Sequence, residues 1–278
     1  MPKLSVTKPC PLKDFLAQSL GISATQAKKL LDAKKVFVNQ RRVWMAGYKL
    51  QAGDSVETAR ESERSVPHKT LPRYTVAAAD NEYIIVNKMA GLVVNEHQSS
   101  LETLLQKDLQ NPQIRAAHRL DKDTSGVVIF AQSPRAFAEI VKVFQKFGVE
   151  KHYRGITQGN LLKKFPAKFI LDQPIDGQSA ETRIRILKTN TLASYFEAQI
   201  ITGRKHQIRV HLAQAGFPLL GEQVYQTAAL KNIVYRQIPR QMLHASAVKF
   251  TNPLSGQILQ AAAPEPPDFQ DTLRVLQL

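Results

Sequence analysis

HRLDKDTSGVVIFAQ, residues 118–132, sets charged and titratable side chains against a turn and then runs straight into an apolar strand. Asp, Thr, Ser and Gly are turn formers, so "DKDTSG" predicts a tight turn at the entrance of that strand. The turn does not account for the "HRLD" ahead of it, which puts Asp121 among His118, Arg119 and Lys122. A metallic reading assigns Asp121, Asp123, Ser125 and Gly126 to positions 1, 3, 5 and 6 of a calcium loop. It fails at position 12, where Gln132 replaces the bidentate Glu, and the upstream "NPQIRAAHRL" is too short and too basic for an entering helix.

On either side of this stretch the pattern is strands with interspersed helices. "NEYIIVNK" predicts a short apolar strand, and "SSLETLLQKDL" predicts a helix with Ser99 and Glu102 at capping-box spacing. A further helix, "SPRAFAEIVKVFQKFG", has Ser133 as cap, Pro134 at its first position and Gly148 to close it. "ETRIRILKTNTLASYFEAQIITG" predicts two antiparallel strands around "KTNT", and "LHASAVKFTNPLSGQILQA" predicts another pair around "NPLSG". The fold class is α+β: a mostly antiparallel or mixed-sheet catalytic domain over residues 74–278, preceded by a small α/β domain.

That smaller part is read from residues 12–57 as two short helices and a hairpin. Ser23 and Gln26 form a capping-box signature for a helix running to about Lys34, and "KVFVNQRRV" alternates around an Asn-Gln turn. Residues 59–73, polar and broken by prolines, predict a linker after a domain at 1–58. Residues 1–75 carry 14 Lys and Arg against 6 Asp and Glu, more than half of the chain's net charge of +15. A lone Lys pair usually marks a solvated helix face. Here the cluster spans a helix end and a hairpin, with Lys28, Lys29, Arg41 and Arg42 among its members. The arrangement resembles the S-four-like RNA-binding domain.

Across 278 residues, 38 Lys and Arg face 23 Asp and Glu, a balance that favours a polyanionic partner because neutralising phosphates releases counterions. Cys10 is the only cysteine, so an intrachain disulfide and a thiolate metal cage are excluded and a reducing compartment is expected. The N-terminus has no apolar h-region, and the apolar run near "GVVIFA" falls far short of the roughly 20 residues of a membrane helix. A monomeric cytoplasmic protein that binds no membrane is expected.

"TGRKHQIRVHLAQAGFPLLGEQVY", residues 202–225, groups Arg204, His206, Gln207 and Arg209 on a helix that Gly216 ends. With 118–126 it resembles the RluA-type pseudouridine synthases, whose motifs include "HRLDxxTSG" and "TGRxHQIRxHLxxxGxPxxGxxxY". Lys151 and Tyr153 match the family's Lys-x-Tyr element, and "NKMAGLVV" at 87–94 matches its first motif. The "LHA" and "FTNP" segments near 243–253 match its closing strands. The likeness runs in order over about residues 76–263. Met89 stands where the family usually has proline, Lys205 where threonine is common, and Glu222 where aspartate follows the glycine.

The resemblance implies isomerisation of uridine in structured RNA, with Asp121, Tyr153 and Arg209 as catalytic residues. A carboxylate can stabilise or attack the electron-poor sugar left by glycosidic cleavage, or take a ribose proton. A permanent cation beside it, Arg209, would keep it ionised in a dry pocket. A flat wall, Tyr153, would hold the detached base and assist removal of the proton from C5. Flipping the target out of its stack costs a few kcal/mol, and Arg119 resembles the family residue that fills the gap. The implied RNA-contacting set is Arg119, His118, Arg204, His206 and Gln207, with Lys28, Lys29, Arg41 and Arg42 in the N-terminal domain. Within it His118 is expected to organise its loop, and His206 and Gln207 to be structural or RNA-facing. These histidines show no i, i+4 pair, so neither zinc nor any other metal or cofactor is expected. Ribosomal RNA of the large subunit is the expected substrate; transfer RNA, a non-catalytic ribosome-assembly protein and a base-releasing glycosylase are the rivals.

Overall fold

Capping chemistry sets the N-terminal elements. The computed structural model describes residues 3–32, 36–39, 41–43, 48–58, 73–225, 235 and 238–278, and the chain divides into two compact units, Met1–Leu71 and Pro72–Leu278. In the first, β1 (Lys3–Ser5) and β2 (Cys10–Pro11) precede α1 (Leu12–Leu20) and α2 (Ala24–Asp32). The Ser23 and Gln26 box forms in full: Ser23 N–H donates to Gln26 Oε1 at 2.9 Å and Gln26 N–H to Ser23 Oγ at 3.1 Å. Then follow β3 (Val36–Val38), β4 (Arg41–Arg42), β5 (Lys49–Leu50) and β6 (Ser55–Thr58), with sheet order β1-β6-β3-β4 and a separate β2-β5 pair. Leu12, Leu16, Ala27, Leu31, Val36 and Val56 are buried between helices and sheet, while Lys28 and Lys29 are exposed. The β3-β4 hairpin turns at Asn39, whose left-handed backbone (φ 49°) Asn tolerates well. Lys34, Lys35, Gln40, the side chains of Arg41 and Arg42, and positions 59–72 of the expected linker lie outside the described residues.

The second unit holds β7 (Tyr74–Ala79), β8 (Tyr83–Lys88), α3 (Leu101–Asp108), β9 (Arg115–Ala116), β10 (Ser125–Ala131), α4 (Pro134–Gln145) and β11 (Val149–Gln158). It continues with β12 (Lys168–Leu171), β13 (Thr182–Thr189), β14 (Ala193–Ile200), α5 (Gln207–Gln214), β15 (Leu243–Thr251), β16 (Ile258–Ala262) and α6 (Pro267–Leu276). The sheet order is β12-β13-β14-β11-β15-β10-β8-β7, with β16 added beside β15 and β9 beside β10. The pairings are antiparallel except β10 with β15, so the sheet is mixed and the fold is α+β.

Every residue of β10 is buried, as a strand covered on both faces must be, and this explains its unbroken apolar run. Outlying β13 alternates instead, with Thr182 and Ile184 inward and Arg183 and Arg185 outward. The parallel contact is tight at Gly126: its φ is +113°, and a Cβ there would lie 2.1 Å from Ala245 O. Only glycine fits where β10 leaves the "DKDTSG" turn.

Local signals misplaced several ends. The cap of α3 is Ser100, not Ser99, and its Oγ accepts from Thr103 N–H at 3.2 Å; Glu102 Oε2 instead accepts from Ala116 N–H at 2.7 Å. Ser133 caps α4 as anticipated, its Oγ accepting from Ala136 N–H at 3.1 Å. The helix stops before Gly148, because Phe147 itself takes the left-handed conformation (φ 56°) and Gly148 N–H reaches back to Val143 O at 2.9 Å. Arg204 and His206 sit in the turn before α5, not on the helix. No signal announced α6, which packs Phe269 and Leu276 against Ile156, Ala193, Leu220 and Met242.

Candidate active site

A cavity of about 560 Å³ opens among the 118–124 turn, β11 and the start of α5. The sheet order explains the meeting: β15 lies between β10 and β11, so the turn entering β10 and the middle of β11 come to one region although far apart in sequence. Residues two apart on a strand face the same way, and Lys151 and Tyr153 of β11 both line the cavity. A register shift in the β11-β15 ladder falls between His152 and Tyr153; bulges of this kind re-aim side chains beside active sites.

The turn is held by its backbone. Asp121 O accepts from Thr124 N–H at 3.1 Å. Lys88, fully buried, donates to Lys122 O at 3.0 Å, Leu92 O at 2.8 Å and Met89 O at 3.2 Å. Burial first, then Arg240, pushes the Lys88 ammonium down to about 7, while Asp123 and Asp121 oppose the shift. Arg240, also buried, donates to Asp123 O at 3.0 Å and is clamped by Asp268 of α6 at 2.6 and 3.0 Å. Ser125 and Gly126 already belong to β10, and Ser125 Oγ lies 2.9 Å from His244 Nδ1, so the residues of the rejected calcium loop do not form one.

Asp121 and Arg209 meet. Arg209 Nη1 donates to Asp121 Oδ2 at 2.7 Å, while Nε and Nη2 donate to the two oxygens of Glu222, each at 2.7 Å. Arg209 and Glu222 are buried; Asp121 is half-buried at the cavity. Burial opposes both buried charges, but the bonds to Glu222 and Asp121 hold the guanidinium above its ordinary value, and those from Arg209 and Val224 N–H hold the Glu222 carboxyl below its own. Glu222 follows Gly221, where φ is +73° and a Cβ would lie 1.8 Å from Arg240 O. That close approach sets the carboxylate behind the arginine.

Burial, with Asp121 nearby, pushes the Tyr153 phenol well above its ordinary value. It therefore keeps its proton at neutral pH and presents a flat apolar wall with a neutral hydroxyl. Lys151, known from the sequence only as part of the Lys-x-Tyr element, lines the same cavity with its Nζ 3.5 Å from Thr202 O and 5.8 Å from the Phe144 ring centre; burial pushes it down to about 8.

The anticipated RNA-contacting residues separate. His118 turns inward: its Nε2 accepts from Ile129 N–H at 3.1 Å, and burial, then Lys151, keeps it neutral. It ties the turn to β10. Gln207 is tied into the protein on both ends of its amide. It is 4% exposed; its Oε1 accepts from Thr202 Oγ1 and Arg204 N–H, and its Nε2 donates to Glu181 O and Thr182 Oγ1. These bonds shape the turn that delivers α5. His206 faces Asp121, with Nε2 3.3 Å from Oδ1. Arg204 donates to Ser179 O at 3.0 Å, and Arg119 is exposed and paired, among the described residues, with the equally exposed Glu96 at 3.4 Å. Such surface pairs contribute little, and Arg119 lines the cavity.

Lys88 could have been suspected from "NKMAG", where a lysine closes an apolar strand; Arg240 carried no signal. Among the described residues, no helix is long and apolar enough to cross a membrane.

Comparison with known proteins identifies the family. A model of the RNA pseudouridylate synthase family matches residues 82–214, and one of the S4 domain matches residues 10–56. Ribosomal large subunit pseudouridine synthase D of Nitrosomonas europaea is 33% identical over 257 residues, covering 82% of this chain and 73% of that protein. Ribosomal large subunit pseudouridine synthase C of Vibrio cholerae is 29% identical over 281 residues, covering 91% and 89%. Among solved structures, human RNA pseudouridylate synthase domain containing 4 has a TM-score of 0.61 at 23% identity, covering 73% of this chain and 92% of that one, a likeness of fold. With its motifs gathered around one cavity and relatives matching it over most of their length, this chain belongs to the RluA-type family of RNA pseudouridine synthases and carries an S4 domain ahead of its catalytic sheet.

Proposed function

We propose that the enzyme isomerises uridine in large-subunit ribosomal RNA, with Asp121, Tyr153 and Arg209 as its catalytic residues. The observation that carries the site assignment is the 2.7 Å bond between Arg209 and Asp121 at the edge of a cavity walled by Tyr153. In this reading the N1–C1′ bond of the flipped uridine breaks, the base turns against Tyr153, and C5 bonds to C1′. The C5 proton leaves to solvent while N1 gains one. Asp121 supplies the negative oxygen at the ribose, and the charge of Arg209, shared with Glu222, keeps that oxygen paired without a second mobile cation. Because Tyr153 retains its proton, it serves as stacking wall and hydrogen-bond donor and not as a resting phenolate base.

Arg119 fills the gap left by the flipped base, and Arg204 contacts the RNA at the rim. Residues 1–58 dock the RNA through Lys28, Lys29, Arg41 and Arg42, joined by a linker at 59–73 to the catalytic residues 74–278. The ribosomal substrate is supported by the names of the relatives and by the basic docking module. We place the enzyme in the cytoplasm as a monomer.

The test is tritium release from C5-labelled uridine in large-subunit ribosomal RNA. Asp121→Asn should fold and bind RNA but release no tritium; undiminished release would remove Asp121 from its role. Mapping pseudouridine in cells with and without the protein names the target, and a loss confined to transfer RNA would displace the ribosomal assignment.

A further inference from the structure

His206 lies at the cavity beside the Asp121 carboxylate. The two oxygens of Asp121 face different partners: Arg209 Nη1 donates to Oδ2 at 2.7 Å, and His206 Nε2 lies 3.3 Å from Oδ1, within ion-pair distance. The other ring nitrogen, Nδ1, lies 2.7 Å from the Tyr225 hydroxyl. A carboxylate oxygen facing Nε2 favours the tautomer with the proton on Nε2; in that neutral ring Nδ1 accepts, and Tyr225 O–H donates to it. The tautomer is set by this chain of partners.

His206 takes a left-handed conformation (φ 55°) immediately before α5, a region in which His, like Asn, is enriched among residues other than glycine. The same Tyr225 ring lies 5.6 Å from the His206 ring and 5.3 Å from the Arg209 guanidinium, so one side chain braces both donors. The charged and titratable groups facing the imidazole are Asp121, Arg209, Lys205, Glu222 and Tyr225. Burial works first against its protonation, with Arg209 and Lys205 adding to that and Asp121 and Glu222 opposing it; the net direction is down.

We propose that His206, its tautomer set by Tyr225, is a positioning residue that pins Asp121 Oδ1. With Oδ2 already bonded to Arg209, a slight approach of Nε2 to Oδ1 restricts rotation of the carboxylate about its Cβ–Cγ bond and keeps the same lone pairs directed at the bound nucleotide through bond breaking and rejoining. The inference rests on the assignment of Asp121 as the reacting carboxylate.

The test uses the full-length enzyme with unmodified ribosomal RNA, measuring kcat and KM by tritium release. His206→Asn keeps a residue that accepts left-handed backbone but is too short to reach Oδ1. Its melting temperature should hold, kcat should fall about tenfold to a hundredfold, the range for losing a group that orients a reacting ligand, and KM should stay within about twofold. His206→Gln carries an N–H of similar reach and should recover most of the rate. Tyr225→Phe should lower kcat several-fold in the native background but have no further effect combined with His206→Gln, whose amide has no tautomer to set. Undiminished kcat in His206→Asn, equal losses in the Asn and Gln variants, or a loss carried by KM alone would overturn the proposal. Asp121→Asn separates the two readings: if it stays active, both fall; if it is dead while His206→Asn is fully active, only this inference falls.

Discussion

Arg209 is the residue on which the site's charges converge. Its guanidinium offers a planar fork, and the two edges are used differently: one closes on Glu222 inside the protein, and the other reaches Asp121 at the cavity. A lysine would lose the bidentate contact with Glu222, because an ammonium has donors but no planar fork. Removing one partner of a buried pair costs up to about 3–5 kcal/mol where the remaining charge is left unpaired, and less here because Arg209 keeps Asp121. Glu222→Ala should therefore lower unfolding free energy by less than that amount in urea titration, with activity falling as Arg209 loses its anchor. Arg209→Lys should fold better than Glu222→Ala yet lose most turnover. If Glu222→Ala unfolded at the native urea midpoint, the pair would not be the buried anchor its geometry describes.

Each active-site element is held by backbone contacts that cross the sheet. The 118–124 turn has its Lys122 and Asp123 carbonyls bound by Lys88 at the end of β8 and by Arg240 ahead of β15. Gly126 then passes β10 against β15 with no room for a methyl group. Gly126→Ala combines positive φ with a clash on backbone that cannot swing aside, and either alone costs on the order of 1–3 kcal/mol. The variant should be insoluble or shifted by several kcal/mol in chemical denaturation, whereas Gly177→Ala, in open space at φ +73°, should show only the backbone term. Near-native stability of Gly126→Ala would mean that β10 and β15 do not pack as described.

For the molecule as a whole, the net charge of +15 and its concentration in the N-terminal residues bear on how RNA is held. Lys28 and Lys29 stand exposed on α2. If they bind phosphate, replacing both with Glu weakens RNA binding at every sequence alike and lowers the slope of log affinity against log salt by about one unit for each phosphate no longer neutralised. Filter binding across a salt series reads this directly, and kcat at saturating RNA should not change because the cavity is untouched. A salt slope equal to the native one would show that these lysines only solvate a helix face.

Much of this was legible from local pattern. Caps at Ser23 and Ser133, strand alternation and turn residues depend on neighbours a few positions away, so the α+β class, the β13-β14 and β15-β16 pairs and α4 followed from composition in short windows. The motifs added Asp121 and Arg209 through resemblance. Contacts across the sheet were not legible in this way. Asp121 and Arg209 are 88 positions apart, and Arg240 meets Asp123 across 117; such partners depend on strand order, register and the bulge beside Tyr153, which no short window encodes. For the same reason the inward turn of His118, the burial of Gln207 and the approach of His206 to Asp121 emerged only when sheet and helix packed, since burial and hydrogen-bond partners are properties of surroundings that the folded chain assembles.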